Sequence, residues 1–146
     1  MDKTFLLNFG HPLASAAVTS LLELLELGEA QLVEQRVSLQ LDMDAGAEPT
    51  TVQVRRVIDQ AAEDVKQAGG ALDGTCAVVL ALPGLTEGTA LILAELHGRL
   101  GTFPRVLALR RLANGTYGLA NAGRYPGMRG GLLDLERVRQ AARERR

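Results

Sequence analysis

A chain of 146 residues that is 47% hydrophobic and 23% charged can bury a core of its own and fits a single globular domain. Its one cysteine excludes a disulfide framework, two histidines without a matching carboxylate cluster exclude the usual metal sets, and five aromatic residues with no tryptophan argue against a stacking platform for single-stranded nucleic acid. The net charge of −1 conceals a division: residues 1–96 carry five Lys and Arg against 14 Asp and Glu, residues 97–146 carry 11 against three, and every base in the second part is arginine.

In chain order, residues 4–8 form a β-prone run that stops at Phe9-Gly10-His11-Pro12. Residues 13–27 then place Leu21, Leu22, Leu24 and Leu25 on one helical face, with Pro12 suited to the first turn and Gly28 to the position past the end. Residues 33–41 alternate apolar with polar side chains, which predicts a strand exposed on one side. After a turn-rich connector at 42–50, Val54, Val57, Ile58, Ala61, Ala62 and Val65 recur at the i, i+3, i+4 spacing of an amphipathic helix over 51–68, ended by Gly69-Gly70. The continuous apolar run 76–82, with Cys76 as a buried and inert thiol, has the pattern of a central parallel strand covered on both faces.

That run stops at Pro83-Gly84, and residues 86–100 predict a third helix with Thr86 as its N-cap and Gly98 and Gly101 at its end. Residues 104–112 predict a strand, Asn114-Gly115 a tight hairpin, and 116–121 the antiparallel return. A glycine-rich loop, 122–131, leads to a charged C-terminal helix over 132–143. The order β-α-β-α-β-α-β-β-α predicts an α/β fold: a Rossmann-like, three-layer, mostly parallel sheet with an antiparallel edge hairpin, in one domain over 1–146. No stretch reads as a signal peptide or as a membrane span, so a cytoplasmic protein is expected.

Arginine pairs two donors with a phosphate, so the basic second part points to an anionic partner such as a nucleotide, or equally to a solvated basic face beside acidic helices. In open parallel sheets, ligands bind beyond the carboxyl ends of strands where the strand order reverses. Two junctions qualify, Asn8-Phe9-Gly10-His11-Pro12 and Leu82-Pro83-Gly84-Leu85-Thr86. Each has a glycine that lets the backbone approach a ligand, followed by a helix start whose N–H groups attract anions. The candidate ligand-binding residues are therefore Asn8, Phe9, Gly10, His11, Pro83, Gly84, Leu85 and Thr86, with an ordinary βα turn as the alternative at each. His11 is the candidate general acid or base, or else a capping residue.

No G-x-G-x-x-G follows the first strand, and neither G-x-x-x-x-G-K-[ST] nor G-x-S-x-G occurs, which argues against dinucleotide oxidoreduction, nucleotide hydrolysis and serine hydrolase chemistry. His97 falls near a helix C-terminus, on the opposite edge of the sheet from the junctions. Arg124, Tyr125 and Arg129 form a loop that closes over a nucleotide or stays solvated. No metal or cofactor is expected.

At Leu7-Asn8-Phe9-Gly10-His11-Pro12-Leu13, at Leu82-Pro83-Gly84-Leu85 and at Leu93-Ala94-Glu95-Leu96-His97-Gly98-Arg99-Leu100-Gly101-Thr102-Phe103-Pro104, the chain resembles a family of small CRISPR-associated ancillary proteins that accompany type III systems. The His-Gly-Arg-x-Gly-x-Phe-Pro segment is the most specific part, and the similarity runs to about residue 121. The resemblance implies a Rossmann-like protein of cyclic-oligoadenylate signalling. Asn8, Gly10, His11, Pro83 and Gly84 match at the junctions, and His97, Gly98 and Arg99 match without an assigned role. The implied function is to bind the ring messenger, the cyclic tetra-adenylate foremost, and damp the antiviral signal by sequestration.

The alternative is a metal-independent ring nuclease in which a ribose 2′-hydroxyl attacks the adjacent phosphate, with His11 as catalytic candidate. A third reading is a protein-interaction subunit that takes no nucleotide. A symmetric ring matches a homodimer, and neither a membrane nor duplex DNA is expected as a partner. The chain departs from the family at Ala14 to Ala17, where a more polar first helical turn is common, and in the glycine-rich segment after residue 121.

Overall fold

The computed structural model describes residues 2–111, 113, 115, 117–119, 128–129 and 131–146. The strands are β1 (Thr4–Asn8), β2 (Leu32–Arg36), β3 (Ala77–Ala81), β4 (Arg105–Leu107), β5 (Leu109–Arg111), β6 (Tyr117–Leu119), β7 (Met128–Arg129) and β8 (Leu132–Leu133); the helices are α1 (Ser15–Leu25), α2 (Thr50–Gln67), α3 (Thr86–Leu100) and α4 (Leu135–Glu144). All five residues of β1 are buried because it is flanked on both sides, by β2 and by β3, both parallel to it. β4 extends the parallel set, and β8 and β7 add an antiparallel edge, giving the six-strand order β2-β1-β3-β4-β8-β7.

Period-two alternation along the central strands divides the core into two layers. Phe5, Leu7, Val78 and Leu80 meet Val54, Ile58 and Val65 of α2 and Ile92, Leu96 and Leu100 of α3. Leu6, Val79, Ala81 and Leu107 face the other way, onto Leu21 of α1. The result is a Rossmann-like α/β fold with helices on both faces, and each fully buried Leu, Ile or Phe contributes about 1.5–3 kcal/mol. The fit is tight where α2 ends: a Cβ on Gly70 would lie 2.2 Å from Cε2 of Phe5, itself fully buried.

Several expected boundaries move, each for a local reason. The strand expected over 33–41 stops at Arg36, because β1 ends opposite it and the Val37 N–H to Asn8 O bond of 2.9 Å is the last rung. Leu39 and Leu41 keep the alternation but pack onto the α2 and α3 layer, Leu39 lying against Gly88. The first helix begins at Ser15 rather than 13, so Pro12 stays in the loop, where the Asn8 side chain holds the His11 carbonyl. Its end is Glu26, in the left-handed region at φ 55°, whereas the Gly28 N–H is bound by the Gln31 side chain at the start of a 3-10 turn, Glu29–Gln31.

The strand expected over 104–112 divides at Ala108, whose N–H bonds Gly131 O at 2.8 Å. β4 stays in the main sheet, while β5 and β6 form a separate antiparallel ribbon that places Leu109 and Leu119 on the α1 layer. The antiparallel edge is thus built by β8 and β7, not by 116–121. The last helix starts at Leu135, since Leu132 and Leu133 are spent on β8 and Asp134 caps the helix by accepting from the Arg137 N–H at 3.0 Å. Leu85, not Thr86, is the N-cap of α3, and Cys76 is half-buried, not buried. Among the described residues no helix is long and apolar enough to cross a membrane.

Candidate functional site

The chain runs from β1 outward to β2 and then back past β1 to β3, so the strand order reverses between β1 and β3. The carboxyl ends of these two strands are Asn8 and Ala81, and the two expected junctions leave the sheet side by side. The Phe9 N–H donates to Ala81 O at 2.9 Å, and a Cβ on Gly10 would come within 2.9 Å of Leu82 O. Only glycine lets the first junction lie this close to the second.

Asn8 organises that approach from below. It is fully buried, its Oδ1 accepts from the Gly10 N–H at 2.9 Å, and its Nδ2 donates to His11 O and to Glu34 Oε1, both at 3.0 Å. Both amide hydrogens are used, so Asn8 acts on the site through the loop it shapes. Phe9 is 7% exposed and belongs to the core, whereas His11 and Pro12 are exposed on the loop.

Beside the first junction runs a cleft of about 330 Å³, lined by Phe9, Gly10 and residues 36–40. Arg36 stands there, with Nη2 3.4 Å from Gly10 O, and Ser38 and Gln40 supply further polar groups. Sequence reasoning missed Arg36, because alternation placed it only on the exposed side of a strand in the acidic part of the chain. The signal was its position at the carboxyl end of a strand next to the first.

At the second junction Leu82 and Pro83 are half-buried, Gly84 and Thr86 are exposed, and Leu85 is 47% exposed. The Thr89 hydroxyl donates to Pro83 O at 3.3 Å and fixes the turn. Neither α3, preceded by Leu85, nor α1, preceded by Ala14, has a side-chain cap. The two helix starts leave adjacent strands onto opposite faces of the sheet, so their N-terminal N–H groups flank the switch point from both layers. Glu87, the one acid in the first turn of α3, accepts from the Thr50 hydroxyl at 2.9 Å; α1 has no acid in its first turn.

His97, Gly98 and Arg99 lie at the C-terminal end of α3, on the opposite edge of the sheet. Arg99 joins α3 to α2, with Nη2 2.5 Å from Asp59 Oδ1 and Nε 3.1 Å from Glu95 Oε2. The His97 ring packs on Phe103 with centroids 4.3 Å apart and has Nε2 3.3 Å from Glu136 Oε1. These residues dock helices; the structure does not bring them to the junctions. Arg124 and Tyr125 lie outside the described residues, as does the side chain of Arg129.

Glu136 ties α4 to this corner. The Phe103 N–H, partly offset by desolvation and assisted by Arg139, holds its carboxyl below the ordinary carboxylate value. A depressed folded-state value means that the contact stabilises the protein above the unfolded carboxylate pKa, and that this contribution is lost as pH falls through the folded value. Glu136→Gln is expected to flatten the acid limb of an unfolding titration followed by circular dichroism; an unchanged acid limb would remove Glu136 from the docking of α4.

Among the described residues no three His, Cys, Asp or Glu side chains gather as metal ligands. Neither a family model, nor a curated protein, nor a solved structure matches the chain.

Proposed function

We propose that the chain binds a cyclic oligoadenylate, the cyclic tetra-adenylate foremost, at the switch point between β1 and β3, and so damps type III CRISPR antiviral signalling by sequestration in the cytoplasm. The observation that carries a binding role is the meeting of two glycine-bearing junctions at one point on the carboxyl edge, between two helix starts without side-chain caps. A phosphate placed there accepts from backbone N–H groups on both layers, and Arg36 adds a guanidinium at the adjacent cleft. Phe9 and Leu39 provide apolar wall for a base, while Ser38 and Gln40 provide hydrogen-bonding groups. The identity of the anion as the ring messenger rests on the resemblance at the three motifs.

Holding a ring asks only for donors and pockets, whereas cutting it asks in addition for the ribose to be bent into line with the phosphate. Calorimetric titration with cyclic tetra-adenylate is expected to give saturable heat, and chromatography of the denatured complex is expected to return intact ring. Linear products ending in a 2′,3′-cyclic phosphate would make the protein a ring nuclease, with His11→Ala the variant that decides whether His11 takes part. No heat with any ring size would leave a protein-interaction subunit. Gly10→Ala, which must push the Leu82 carbonyl away, is expected to weaken binding at least about tenfold, the equivalent of about 1.4 kcal/mol.

A further inference from the structure

β2 ends the sheet on one side, and its outer edge is open among the described residues. In an extended chain the N–H and C=O of one residue point to the same side and those of the next point away. The Val37 N–H points to β1, where it bonds Asn8 O, so Val33 and Gln35 also turn their peptide groups inward. Glu34 and Arg36 turn theirs outward, and no described residue bonds those peptide groups. Edge strands are commonly guarded by lysine or proline, and residues 32–41 contain neither.

A second copy can pair with this edge about a two-fold axis; the outward peptide groups meet one another for an axis through any residue of the strand, and the axes through Glu34, Gln35 or Arg36 are those that set one charged side chain directly opposite another. Charge selects among the three. An axis at Glu34 sets that carboxylate against its own copy, and an axis at Arg36 does the same with guanidinium groups. An axis at Gln35 sets Glu34 opposite the partner's Arg36, twice, on the face shared with Leu6 and Asn8. On the other face it sets Val33 opposite the partner's Val37. Opposite charges directly across an antiparallel pair are favourable and like charges are not.

We propose that two copies of this chain join at β2 in the antiparallel register centred on Gln35, fusing two six-stranded sheets into one. The pairing does not depend on any ligand. Because the paired strands run in opposite directions, the two carboxyl edges face opposite ways and each protomer keeps its own cleft. A ring is then bound by one protomer and not shared across this axis.

Sedimentation velocity is expected to show a dimer for the wild type, a monomer for Arg36→Glu and a dimer again for the double variant Glu34→Arg/Arg36→Glu. Because Glu34 also braces Asn8, a register test that spares it completes the set. Gln35 at the axis is a non-hydrogen-bonded pair with Cα atoms about 4.5 Å apart, within disulfide range, so Gln35→Cys in a Cys76→Ser background should cross-link quantitatively on mild oxidation. A monomeric wild type, or a dimer that Gln35→Cys does not cross-link, overturns the proposal. Neither result bears on calorimetric binding of the ring, so the two proposals fail separately.

Discussion

Replacing Asn8 by aspartate lowers stability by about 3 kcal/mol at neutral pH and makes the remainder depend on pH. The substitution keeps the shape and keeps an acceptor for the Gly10 N–H, but it turns the donor toward Glu34 Oε1 and His11 O into a second acceptor. A fully buried carboxylate facing another carboxylate and a carbonyl takes up a proton, so the folded-state value of the introduced carboxyl rises above the ordinary aspartate value of about 3.9. The sign follows: stability is greatest below the unfolded value and is lost as pH rises through the raised folded value. Urea denaturation of Asn8→Asp at a series of pH values should show this loss, with Asn8→Ala as a control that is destabilised without the same slope. A flat profile for Asn8→Asp would mean that Asn8 does not hold Glu34 as described.

Gly70→Ala is expected to cost about 3 kcal/mol, although the backbone there would accept alanine. The new methyl group falls on the ring of Phe5, which is fully buried in the central strand between two neighbours and has nowhere to retreat. Phe5→Leu alone should cost less, and in combination with Gly70→Ala it should cost clearly less than the two single changes together, because the shorter side chain vacates the space the methyl group takes. Additive costs in denaturant titrations would show that the two positions do not share that space.

Where the chain's own periodicity decides the structure, the sequence was legible. β1, β3, α2 and α3 lie within a residue or two of the positions that apolar spacing predicts, and the two switch-point junctions follow from their order. Residues whose role depends on a neighbour were not. Val37, Leu39 and Leu41 continue the alternation of β2, yet whether they form a strand depends on β1 being there to pair, and β1 has ended. Residues 104–112 read as one strand because nothing local marks Ala108 as the point where Gly131 captures its N–H.

The site divides in the same way. Gly10 could be read from its turn, but the reason for it is a carbonyl 72 positions away, Leu82 O. Asn8 read as a ligand contact because it opens the junction beyond the first strand, and its burial came only with Glu34 of the neighbouring strand. Arg36 was hidden by its membership of the acidic part of the chain.

The short antiparallel addition at the β4 edge has a kinetic consequence. β8 meets β4 through Val106 with Leu133 and Leu107 with Leu132, whereas β1 is paired along its whole length on both sides. Zippering of β8 and α4 onto the body therefore breaks at a smaller free energy than the central ladder, and hydrogen exchange of Leu132 and Leu133 should run ahead of that in β1 and β3.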